Sequence, residues 1–104
     1  MRTIILDTPC PEEKRTPRLA RLTRHLEARL LDFGPGGPEV IRTEPAEGYV
    51  LARFPGHDTT QVLEGLARQG IHAAAEKDRA VFYLAPDVRF EDLDHVWGCL
   101  FALL

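Results

Sequence analysis

The chain is short of the residues that most catalytic and metal chemistry needs. Of its 104 residues only two are cysteines and two are lysines, Lys14 and Lys77. Cys10 stands among prolines and Cys99 inside an apolar helical pattern, so neither belongs to a paired-cysteine or Cys/His motif. Both read as free thiols, and a zinc centre or a disulfide framework is excluded. Long hydrophobic runs are also missing. The N-terminal stretch MRTIILDTPCPEEKR reaches only three consecutive apolar residues, Ile4 to Leu6, far below a signal-peptide core or a membrane span. The expectation is a cytoplasmic protein without membrane contact. The glycines of GPGGP at 34 to 38 match neither phosphate-loop spacing, so they read as a stiff bend. No repeat or low-complexity run is present.

What remains is an ordinary globular composition, 44% hydrophobic and 28% charged, in a chain long enough for one modest core. The expectation is a single domain over 1 to 104. The net charge of −3 is unevenly spread. Lys14 to Arg29 holds six basic residues against Glu27, a local +5, whereas 34 to 104 holds six basic against eleven acidic, a local −5. Opposite signs within one chain suit docking of a basic helix on its own domain or on a second copy.

Hydrophobic periodicity orders the elements. RTIIL at 2 to 6 is a short strand candidate, and a proline-rich connector runs to 16. Leu19, Leu22, Leu26, Leu30 and Phe33 recur at steps of three and four, predicting an amphipathic helix over 17 to 33 with Pro17 in its first turn and Gly34 after its end. EVIRT at 39 to 43 is a weaker strand and Tyr49 to Phe54 a better one. Asp58 with Gln61 has capping-box spacing for a helix ended by Gly70, with Ile71 folding back on it as an apolar contact. Val62, Leu63, Leu66 and Ala67 mark its buried face. Ile71 to Ala75 and Arg79 to Ala85 follow as a hairpin. Phe90, Leu93, Val96, Trp97, Leu100, Phe101 and Leu104 then give the cleanest helical stripe in the chain, with Glu91, Asp92 and Asp94 where the helix dipole favours anions. The fold expected is an α+β two-layer sandwich, an antiparallel sheet of three or four strands with helices on one face: a β-α-β-β-α core at 48 to 104 preceded by the long amphipathic helix.

The segments RLARLTRHLEARL, GPGGP, GYVLARF, VLEGLARQGI, RAVFYLAP and FEDLDHVWGCL, taken in that order, resemble the C-terminal small domain of pyridoxal-phosphate enzymes of the aspartate-aminotransferase fold type. Within that type they are nearest to the class V aminotransferase and cysteine desulfurase group. The resemblance implies a small-domain scaffold. It also implies that the Schiff-base lysine, the phosphate loop and the ring aspartate belong to a large domain that this chain lacks. Many members bind the substrate carboxylate through an arginine in the strand before the closing helix; here Phe82 or Tyr83 stands there, with Arg79 and Arg89 displaced to either side.

Candidate sites are few. Arg18, Arg21 and Arg24, with His25 and Arg29 near them, form a possible anion-binding face. Without aromatic partners for base stacking, however, a solvated or docking face is the reading adopted and nucleic acid is not expected. His57, Asp58 and Thr59, at a strand-to-helix loop, are the best small-ligand locus, although Asp58 is also explained as a cap. His95 and Cys99 share a helix face but make only half a metal site. Trp97, Phe101 and Leu104 are a possible interface, covered either by the 17 to 33 helix or by a second copy. No catalytic residue, metal or cofactor is expected for the chain on its own, pyridoxal phosphate entering only where a separate large domain supplies its site. The functional expectation is a non-catalytic interaction or regulatory domain acting as a homodimer or on a protein partner. The alternatives are an amino-acid-type ligand sensor and the small-domain half of a split enzyme.

Overall fold

The computed structural model describes residues 3–104. Its elements are β1 (Ile4–Leu6), a 3-10 turn (Glu12–Lys14), α1 (Pro17–Leu31), β2 (Glu39–Glu44), β3 (Tyr49–Arg53), α2 (Thr59–Arg68), β4 (Ile71–Glu76), β5 (Arg79–Tyr83) and α3 (Phe90–Leu103). Of the strand expected at 2 to 6, Arg2 lies outside the described residues.

Each helix begins where a side chain takes up orphan backbone donors. The Thr16 hydroxyl accepts from the Leu19 N–H, with Pro17 in the first turn. Asp58 Oδ1 accepts from the Gln61 N–H at 3.2 Å. At α3 the carboxylate of Asp92 reaches back to the Arg89 N–H at 2.9 Å. α1 stops two residues before the expected Phe33, with Asp32 as its cap and Gly34 in the left-handed region at φ 75°. Gly70, also left-handed, closes α2, and Ile71 beyond it is fully buried.

The strands form one five-stranded sheet in the order β1-β4-β5-β3-β2. β2, β3, β5 and β4 are antiparallel neighbours, as expected. β1 adds a fifth strand parallel to β4, Ile4 opposite Ile71, with the Ile4 N–H bonded to the Gly70 carbonyl at 2.7 Å. The candidate at 2 to 6 thus supplies a further strand to the sheet and makes it mixed; what no local pattern shows is its parallel pairing with β4, 67 residues away.

Alternation sorts the sheet into two faces. Val50, Ala52, Ala80, Phe82 and Leu84 join Leu19, Leu22, Leu26, Leu30, Val62, Leu66, Leu93, Val96 and Leu100 in one core. α1 runs over the β2–β3 pair, α2 over β4, and α3 packs against both helices. Of the α2 face read from sequence, Val62 and Leu66 are buried, Leu63 is half-buried and Ala67 is exposed. Among the described residues no helix packs on the opposite sheet face, where Tyr49 and Tyr83 meet at 5.9 Å between ring centroids.

Candidate functional site

The arginine row of α1 divides on folding. Arg18 Nη1 donates to the carbonyls of Pro86 and Val88 at 2.7 and 2.9 Å, and its guanidinium lies over the Phe90 ring. It bolts the start of α1 to the loop before α3. Arg21 and Arg24 are exposed, so only these two members of the proposed anion face still project into solvent. His25 Nε2 lies 2.8 Å from Asp94 Oδ1. Arg29 Nε lies 3.3 Å from the same oxygen but off the line of a hydrogen bond, an ionic contact only.

That arginine also answers what covers Trp97. The Arg29 guanidinium sits 4.4 Å from the indole centroid, within cation–π range, while Phe33 packs on Trp97 and Phe101 from the side. Trp97 is thus half-buried beneath α1, its Nε1 enclosed without a hydrogen-bond partner. Phe101, stacked on Trp97 at 5.3 Å, stays 61% exposed. Together with Phe33, Pro35, Pro55, His57 and Leu104 it lines a groove of about 470 Å³. The three predicted interface residues therefore lie together at one pole, with Trp97 already covered from within the chain.

The predicted ligand locus is also brought together, in altered roles. His57 is exposed, Asp58 is spent on its cap, and the hydroxyl of Thr59 is buried, donating to the Asp78 carbonyl at 2.6 Å. That bond ties the start of α2 to the β4–β5 turn, where Lys77 holds φ 58°. The result is an open cleft of about 490 Å³ bordered by Arg53, His57, Asp58, Lys77 and Asp78. Sequence reading did not include Arg53, which ends β3 just before the loop, nor Lys77 and Asp78, which the hairpin's docking brings near it.

Cys10 is a core residue, buried beside β1. Cys99 Sγ lies 3.7 Å from His95 Nε2, so the i, i+4 spacing is realised. Burial pushes the Cys99 thiol up, opposite to the shift that activates a nucleophile. Among the described residues no group of three metal-ligating side chains converges. A Schiff-base lysine is set in a desolvated pocket, whereas Lys14 and Lys77 are both exposed.

Neither a family model nor a curated protein matches this sequence. Solved structures do. A glycine decarboxylase (P-protein) of the glycine cleavage system superposes with a TM-score of 0.72 at 22% identity, over 86% of this chain and 21% of its own. A cystine C-S lyase in complex with cysteine persulfide gives 0.72 at 15%, over 86% and 24%. A NifS-like protein from Rickettsia africae gives 0.65 at 16%, over 79% and 27%. The chain has the small-domain fold of pyridoxal-phosphate enzymes. It spans about a fifth to a quarter of the length of these structures. No helix among the described residues is long and apolar enough to cross a membrane.

Proposed function

We propose that this small-domain fold serves as a non-catalytic interaction or regulatory domain, acting by association with a second copy or with a protein partner. The observation that carries the reading is the pole of α3. After α1 has covered Trp97, Phe101 remains 61% exposed beside the groove that Phe33, Pro35, Pro55, His57 and Leu104 line with it, and aromatic side chains of this kind anchor protein interfaces. Light scattering of the native chain and of Phe101→Ser, with and without candidate partners, tests it. Association that weakens in the variant is the expected result; a chain that binds neither itself nor any partner would refute the reading.

A second reading rests on the length comparison. The same fold accounts for only 21 to 27% of the enzymes it matches, which favours a role as the small domain of a pyridoxal-phosphate enzyme whose lysine lies on other polypeptide. Pyridoxal phosphate added to the purified chain is expected to leave no imine absorbance after desalting. A band that survives would overturn the non-catalytic reading. A ligand-sensor role is supported by the cleft around His57 and Asp58, and amide-shift titration with free amino acids decides it: saturable shifts over Gly56 to Thr60 would establish it.

A further inference from the structure

β2 and β1 are the outer strands of the sheet among the described residues, and the backbone phase of β2 can be worked out. The Leu84 N–H donates to the Gly48 carbonyl at 2.7 Å, while the Gly48 N–H turns back to the Glu44 carbonyl; from the Gly48 carbonyl onward, Val50 and Ala52 direct their backbone groups toward β5. Tyr49 and Leu51 must direct theirs to β2, where their partners are Glu44 and Arg42. Thr43, between those two, therefore points its N–H and C=O away from β3, at the free edge. Its side chain shares the helix-side face with Val50, and its buried hydroxyl makes no hydrogen bond.

Free edges invite pairing, and natural edges are usually blunted by lysine or inward charge. β2 carries no lysine. Its bulge lies upstream, between Val40 and Arg42, and Arg42 to Glu44 are in regular register. A second β2, antiparallel about a two-fold axis through Thr43, pairs Thr43 with its own counterpart and sets Arg42 of each copy opposite Glu44 of the other. Neighbouring registers are penalised: an axis through Arg42 faces arginine with arginine, and an axis between Ile41 and Arg42 faces Glu39 with Glu44. Opposite charges and threonine pairs across strands are favourable, like charges unfavourable.

The same approach finds a complementary helix flank. Arg18, His25 and Arg29 face α3, and Leu19, Leu22, Leu26 and Leu30 face the sheet. At about 100° per residue, the flank remote from α3, above the β2 edge, carries Ala20, Arg24, Glu27 and Leu31. Leu31 is 62% exposed. Because α1 runs over the β2–β3 pair, two such helices stand about two strand spacings, ~10 Å, apart, which is packing distance. An antiparallel approach that sets Arg24 against Glu27 of the other copy also sets Leu31 against Ala20.

We propose that the β2 edge and the adjoining flank of α1 form a two-fold docking surface for a second copy of this chain, doubling the five-stranded sheet. This rests on the interaction reading and adds to the Phe101 pole a second surface, with a second copy of the chain as its partner. The test is sedimentation equilibrium on the native chain, Arg42→Glu, Glu44→Arg, and their equimolar mixture. Juxtaposed like charges should raise the dissociation constant of each single variant about tenfold or more. The mixture, which restores both arginine–glutamate pairs, should dimerise like the native chain. A native chain that stays monomeric at its solubility limit overturns the proposal. So does a native dimer that both substitutions leave unchanged, although that outcome keeps the interaction reading alive through another surface such as Phe101.

Discussion

Gly48 shows how much one residue carries. Its φ is +83°, and a Cβ there would meet Leu19 Cδ2 at 2.7 Å. Leu19 is fully buried. Gly48→Ala is expected to cost about 1–3 kcal/mol in denaturant unfolding, from overpacking added to an unfavourable backbone region. A midpoint unchanged from the native chain would show that Leu19 yields more easily than its burial suggests. Cys99 supplies a pH-dependent case. Because burial raises its thiol, the native state favours the protonated form. The contribution to stability is present below the ordinary thiol range, about 8.5, and is lost as pH rises through it toward the higher native value. Alkylation by iodoacetamide near neutral pH should accordingly be slower than for a short thiol peptide, and should accelerate only above that range. Equal rates would count against the buried setting.

At the scale of elements, the helices depend on their ends. Removing the capping oxygen with Thr16→Ala or Asp58→Ala should lower stability by about 1 kcal/mol each, read from thermal or denaturant midpoints. Gly98 works in the other direction. It sits inside α3, exposed, with nothing within 4 Å of where a Cβ would stand, so Gly98→Ala should stabilise by up to about 1 kcal/mol through helix propensity. A loss instead would indicate that this face of α3 is covered in solution. The Asp58 cap was legible in the sequence because capping spacing, glycine stops and three-four periodicity are local; the Thr16 cap was not read there. What the periodicity could not show was the second role of Thr59, whose hydroxyl leaves the loop to hold Asp78 of the distant hairpin turn.

For the whole molecule, the decisive contacts join segments far apart in the chain. Arg18 links α1 to the segment before α3 through two carbonyls. Arg18→Met keeps the apolar stem but orphans both acceptors, and should cost about 1–3 kcal/mol. It should also speed amide exchange in the first turns of α1, whereas exchange confined to unaffected native rates would show that α1 is held by its leucines alone. The ion pairs of His25 and Arg29 with Asp94 are partly exposed and add little energy, about 0–1 kcal/mol each.

The sequence by itself determined the helices, an antiparallel sheet of three or four strands, the Asp58 cap and the small-domain scaffold, because each follows from patterns within a dozen residues. Only the tertiary structure decided that β1 joins β4 in parallel, that Arg18 serves carbonyls rather than anions, and that Lys77 and Asp78 border the loop at His57. It also set the phase that turns the backbone of Thr43 outward and the flank that leaves Leu31 in water. These depend on register and on packing between distant segments, where chain entropy is recovered by contacts that no local pattern encodes.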